Sequence, residues 1–208
     1  MRIISHRGIG FGAEQNTLEA FKESFNFGFG TETDIRDYNG KLVVSHDIAD
    51  AASMSADEFF AIAKGYPHCE LAINIKADGI GGLLREALSL QRITRYFVFD
   101  MSVPQMIEYR GIGLRYFSRQ SEYETSPALL DNADGVWVDS FLTDKWIDSR
   151  LIQGYIAGSK TVCIVSPELH KRNHKDLWQR LKDIEHGKLM LCTDYPIEAD
   201  RFFNGGGT

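Results

Sequence analysis

Proline is scarce in this chain: five residues in 208, and no two of them close together. With no proline-rich or low-complexity stretch to act as a linker, the length predicts one domain. Cysteine is scarcer still. Cys69, Cys163 and Cys192 are odd in number, widely scattered and without metal-ligand spacing. Buried reduced thiols in a cytoplasmic protein are the expectation. A surplus of basic residues is also missing, since 23 Lys and Arg face 29 Asp and Glu for a formal net charge of −6. That argues against nucleic acid as a partner, so an anionic ligand must be held by a local group of cations or by a metal. No apolar run is long enough to span a bilayer. Strand-like residues begin at Arg2, so no signal peptide is expected, and with neither an apolar rim nor a basic anchor no stable membrane association is expected.

What is present is a hydrophobic share of 43%, enough for a substantial core. Short β-rich runs alternate with helix-like segments from end to end. The strand candidates are 3–5, 30–35, 42–45, 70–75, 96–99, 114–117, 135–138, 160–165 and 188–193. Asn39-Gly40 between the second and third predicts a tight hairpin turn. Counting that pair as one arm leaves about eight β units, each leading into a helix, which is the pattern of a compact (β/α)8 TIM barrel. Asn16 with Glu19, and Ser55 with Glu58, have capping-box spacing. Leu18, Phe21 and Phe25 share a face of the first helix, and Gly28 is placed to close it. Residues 1–203 are expected to form the barrel and 204–208 a flexible tail.

Alternation along strands decides which side chains face inward. Leu71, Ile73 and Ile75 share one face, leaving Ala72, Asn74 and Lys76 on the other. Glu32 and Asp34 fall on one side together, and Trp137 and Asp139 oppose Val136 and Val138. His6 and Arg7 end an apolar run and open a loop carrying Gly8, Gly10 and Gly12. Polar residues therefore gather near strand C-termini, the end at which barrel enzymes build their active sites. Each has a plain structural reading when taken singly; the combination of imidazoles, carboxylates, arginine and lysine is what points to chemistry. Trp137, Tyr116 and Asp139 are further candidates for a substrate pocket, Trp137 either stacking on a ligand or filling the interior.

The residues "HRG" at 6–8, "NTLEAF" at 16–21, "GTETDI" at 30–35, "VVSHD" at 43–47, "INIK" at 73–76 and "CTDYP" at 192–196 occur in an order and spacing that resemble the glycerophosphodiester phosphodiesterases. These belong to the wider group of phospholipase-C-like phosphodiesterases. The resemblance covers almost the entire chain. It implies a (β/α)8 barrel, a divalent cation (Mg²⁺ or Ca²⁺) and hydrolysis of a small phosphodiester. It further implies His6 and His46 as general base and acid, Arg7 and Lys76 as phosphate contacts, and Glu32 and Asp34 as metal ligands, with Asn74 at the third ligand position. Chemistry supports those roles. Imidazole moves protons in both directions near neutrality, carboxylates hold hard cations, and an Arg fork matches phosphoryl oxygens.

Three departures from the family pattern bear on function. Gln15 stands where a Glu is usual, Asn74 where the third-strand motif carries a Glu, and the insertion that normally follows the His-Asp strand is missing. Losing a carboxylate weakens cation affinity or abolishes catalysis. Two alternatives therefore stay open: a weakened or inactive phosphate-ester binding protein on the same scaffold, and metal-independent cleavage resembling bacterial phosphatidylinositol phospholipases.

Overall fold

The computed structural model describes residues 1–10, 14–184 and 187–205. In chain order its elements are β1 (Arg2–His6), α1 (Leu18–Asn26), β2 (Gly30–Tyr38), β3 (Lys41–Val44), β4 (Met54–Ser55), α2 (Ala56–Ala63), β5 (Leu71–Ile75), α3 (Gly81–Leu90), β6 (Tyr96–Phe99), α4 (Val103–Gly111), β7 (Phe117–Gln120), β8 (Gly135–Val138), α5 (Ser149–Ala157), β9 (Thr161–Val165), α6 (Lys175–Leu181), β10 (Leu189–Thr193) and α7 (Pro196–Asn204). By contacts they fall into two compact units, His6–Tyr116 on one hand and Met1–Ser5 with the chain from Phe117 onward on the other.

In the His6–Tyr116 unit, β2, β5 and β6 run parallel, with Asp34 opposite Asn74 and Asn74 opposite Phe99. Tyr116 continues this arrangement through a parallel bridge to Val98. Strand β2 also turns back antiparallel into β3, with Asn39 and Gly40 at φ 48° and 75° as a hairpin between right-twisted strands requires. A two-residue strand, β4, extends this arm and ends on Ser55, whose hydroxyl accepts from the Asp57 N–H to cap α2. The amphipathic faces of α1 and α2 meet in an aromatic core. Phe21 lies 4.6 Å from Phe59, ring centre to ring centre, and both are fully buried. Burial of each such ring stabilises the fold by about 1.5–3 kcal/mol.

In the other unit β1, β10, β9, β8 and β7 lie side by side, all parallel. Their Val, Ile and Leu side chains are buried almost without interruption, as expected of strands covered on both faces. Trp178 is buried against Phe202 and Phe203 of α7.

Several expectations need correction. The strand expected at 114–117 lies three residues later, at Phe117–Gln120. Leu114 instead belongs to the end of α4: its N–H reaches the Tyr109 carbonyl while Gly113 adopts φ +77°, a helix-closing turn. The β7 unit has no α-helix after it among the described residues, only a single 3₁₀ turn at Leu130–Asn132. Asn204 is not part of a tail. It ends α7, and its amide exchanges hydrogen bonds with the amino group and carbonyl of Met1. Residues 206–208 lie outside the described residues.

Two glycines give opposite expectations. At Gly135 a Cβ would stand 2.3 Å from the Thr161 carbonyl oxygen and 2.6 Å from the Phe117 ring. Gly135→Ala is expected to lower stability by about 1–3 kcal/mol. Gly154, inside α5, has open space around it, and Gly154→Ala is expected to raise stability by about 0.5–1 kcal/mol. Urea unfolding midpoints of the two variants should move in opposite directions.

Candidate active site

The site in the His6–Tyr116 unit is organised by one buried carboxylate. Asp34 sits on β2 with no solvent exposure. Its Oδ2 lies 2.9 Å from Arg7 Nε and accepts a hydrogen bond of 2.9 Å from Asn16 Nδ2, while its Oδ1 lies 3.2 Å from Lys76 Nζ. The two cations arrive from the C-terminal ends of strands. Arg7 follows β1, Lys76 follows β5, and Asn16 sits in the loop before α1. Arg7 is held in the left-handed region, φ 58°, with its N–H bonded to the Glu32 carbonyl and its own carbonyl accepting from the Asn16 N–H. Gly8 next to it requires glycine: at φ +85° a Cβ would come within 2.5 Å of the Ala20 backbone.

Asn16 corrects the sequence reading. Its place as helix cap is taken by Thr17, whose hydroxyl accepts from the Ala20 N–H. Asn16, at φ 59°, is thereby released to bridge Asp34 and the Thr33 hydroxyl. The signal was present in the sequence, since Asn is the non-glycine residue best suited to a left-handed position and Thr directly after it is a good cap.

Glu32, two residues before Asp34 on the same face, is also buried, and its Oε2 lies 3.9 Å from His6 Nε2. Burial chiefly, and then the neighbouring Asp34 charge, push its carboxyl up to about 7, against the opposing pull of His6, Arg7 and Lys76. Asn74 is 8% exposed and donates from Nδ2 to Asp100 Oδ2 at 3.2 Å. Glu32 Oε2 and Asn74 Oδ1 are buried oxygens without a hydrogen-bond partner among the described residues. Such hard donors suit Mg²⁺ or Ca²⁺. Asp34 already carries two cationic partners, and among the described residues no three His, Cys, Asp or Glu side chains group for metal binding. A cation here would depend on an amide as well as carboxylates.

His46 stands on the arm beyond β3, 48% exposed, with Nδ1 2.9 Å from the Asp47 carboxylate. It lines a cleft of about 730 Å³ together with Arg7, Gln15, Asn16 and Asp47. Arg36 ties down this loop by donating to the Asp47 and Lys76 carbonyls. Of the residues singled out from sequence, His6, Arg7, Glu32, Asp34 and Lys76 therefore form one contact cluster. Asn74 neighbours it through strand register, and His46 shares the cleft with Arg7. Tyr116 and Trp137 are core residues, 1% and 4% exposed. In the other unit Asp139 pairs with His170 at 2.7 Å, and Glu168 accepts from Ser166, Thr193 and the Asp194 N–H. Asp100, placed by the sequence directly after the 96–99 strand and so a further candidate for the interior, lies one residue past β6 at φ 66°.

No protein-family model and no curated protein sequence matches the chain. Solved structures do. A glycerophosphodiester phosphodiesterase from Parabacteroides distasonis superposes with a TM-score of 0.75 at 16% identity, covering 98% of this chain and 97% of that one. One from Agrobacterium tumefaciens gives 0.71 at 14% identity over 94% and 97%. An Oleispira antarctica phosphodiesterase, solved with its product sn-glycerol-3-phosphate, gives 0.68 at 14% over 98% and 97%. The fold is the (β/α)8 barrel. Its parallel strands are β2, β5 and β6 in one unit and β1, β10, β9, β8 and β7 in the other, and β3 and β4 form an antiparallel arm on β2.

The elevated carboxyl of Glu32 predicts a pH dependence. A group whose folded pKa exceeds its unfolded value of 4.5 loses stabilisation as pH rises through the folded value, about 7 here. In cation-free protein, Glu32→Gln should therefore be more stable than the wild type above pH 7, by about 2–4 kcal/mol. The difference should vanish below about pH 4.5, the unfolded value. Thermal or urea unfolding across pH 4–8 measures it.

Proposed function

We propose that this protein is a phosphoric diester hydrolase acting on a small, glycerophosphodiester-like substrate, with His6 and His46 exchanging protons and a divalent cation bound by Glu32, Asp34 and Asn74. The observation that carries this reading is the convergence of Arg7, Lys76 and His6 on the buried Glu32–Asp34 pair, beside a cleft that His46 lines. The barrel likeness to known phosphodiesterases supports the reaction class. The acidic chain with three free, buried cysteines suits action in the cytoplasm.

Each residue's part follows from its position. Asp34 holds Arg7 and Lys76 so that their remaining N–H groups are preorganised donors to phosphoryl oxygens, and little reordering is needed as charge develops there. The Asp47 carboxylate beside His46 Nδ1 selects the tautomer with the proton on that nitrogen, leaving Nε2 to exchange protons. In the reaction a hydroxyl of the substrate's glycerol attacks the neighbouring phosphorus. One imidazole takes the hydroxyl proton as the new P–O bond forms. The other gives a proton to the departing alcohol oxygen as the old bond breaks. Water then opens the cyclic phosphate with the two roles reversed. A bound cation would supply further neutralisation of the phosphoryl oxygens.

The experiment is a panel of glycerophosphodiesters with Mg²⁺, Ca²⁺ or Mn²⁺. We expect turnover, with His6→Ala and His46→Ala each lowering kcat by about 10²–10⁴-fold and Asn74→Glu tightening the cation requirement. Absence of turnover with every cation and ester would refute the activity.

A second reading has its own observation. Arg7 and Lys76 both neutralise Asp34, so two fixed cations already stand beside the site. Cleavage without metal would follow from these and the two imidazoles. Full activity in EDTA would favour it, and loss of activity restored by added cation would exclude it.

A further inference from the structure

We infer that Asp100 is the positioning carboxylate of the cation site, replacing in space the charge that Asn74 lacks. This rests on the proposed metal-dependent reading. Asn74 is an amide on the inward face of β5, opposite Asp34 of β2 on one side and Phe99 of β6 on the other. Asp100, the next residue along from Phe99, accepts a 3.2 Å hydrogen bond from Asn74 Nδ2. An ionised carboxylate only accepts, so it can pair with the amide nitrogen and never with the amide oxygen. That constraint decides the flip of the side chain. Strand β5 lies between β2 and β6, with Asp34 directly opposite Asn74; with the nitrogen held by Asp100, the oxygen is left free to meet a ligand beside β2.

Two further observations indicate that this orientation serves a ligand. Asn74 Oδ1 is buried and has no hydrogen-bond partner among the described residues, and the same is true of Glu32 Oε2. Buried oxygens left unmatched are costly and uncommon in folded proteins. Asp100 also adopts φ 66°, uncommon for a residue other than glycine. That backbone conformation, at the C-terminal end of β6, lets the carboxylate reach the amide. A divalent cation at Glu32 Oε2 and Asn74 Oδ1 would satisfy both oxygens. The Asp100 charge would act through the amide, polarising it so that Oδ1 becomes a stronger donor.

The test is cation binding by the full chain stripped with EDTA and titrated with Mn²⁺, read by calorimetry and by the Mn²⁺ electron paramagnetic resonance signal. Asp100→Asn keeps a residue tolerant of φ 66° and removes only the charge. It is expected to weaken Mn²⁺ binding by about 10–100-fold while the melting temperature of the cation-free protein stays unchanged. In an Asn74→Ser background the same Asp100→Asn change should cost little further affinity, because the carboxylate acts through the amide, whereas a merely structural role for Asp100 would weaken binding in both backgrounds. Should Asp100→Asn fail to fold, Asp100→Gly, which suits φ 66° and also removes the carboxylate, carries the test with the same loss expected. Unchanged Mn²⁺ affinity in the folded variant, or no Mn²⁺ binding by the wild type, would overturn the inference. Phosphodiester turnover measured in parallel separates the two ideas. A wild type that binds Mn²⁺ and loses it with Asp100→Asn, yet hydrolyses nothing, upholds the role of Asp100 and refutes the activity.

Discussion

A carboxylate with no exposure to water must be compensated, and at Asp34 that requirement assembles the site. Two cations and an amide close on its oxygens from two separate loops, the one after β1 and the one after β5. An uncompensated buried charge costs several kcal/mol, so the loops carrying Arg7, Asn16 and Lys76 have a strong electrostatic reason to adopt one arrangement. Arg7 and Asn16 do so in left-handed backbone conformations, a local cost met by the ion pairing and by the hydrogen bonds of their own peptide groups.

The same device recurs elsewhere in the chain. Glu122 accepts hydrogen bonds from the N–H groups of Phe141, Leu142 and Thr143 and so fixes the loop after β8. Although burial opposes it, this cage of amides lowers the Glu122 carboxyl to about 2. Glu168 gathers Ser166, Thr193 and the Asp194 amide at the ends of β9 and β10. In both places a carboxylate supplies acceptors to groups at or past a strand's C-terminal end and ties the loop there to its neighbours.

Strands and helices were legible where a local pattern had a single explanation. The alternation of Leu71, Ile73 and Ile75 against Asn74 and Lys76, and the Asn39-Gly40 turn, both stand as the sequence implies. Reading failed where a local pattern had two explanations. The apolar stretch from Leu114 to Phe117 suits either a strand or a helix-closing turn followed by a strand, and the left-handed Gly113 with the Leu114 N–H bonded to the Tyr109 carbonyl makes it the second. Asn16 and Thr17 are both good caps; Thr17 takes the helix because Asp34, distant in sequence, claims Asn16.

By itself the amino-acid sequence determined most of the order of strands and helices and the residue types available for phosphate chemistry, because these depend on near-neighbour periodicity. Only the tertiary structure decided that Asp34 is shared by Arg7, Lys76 and Asn16, that Glu32 is hard to ionise, and that Asn74 answers to Asp100. Those outcomes are set by burial and by contacts among residues tens of positions apart, and neither is encoded in any short window of the chain.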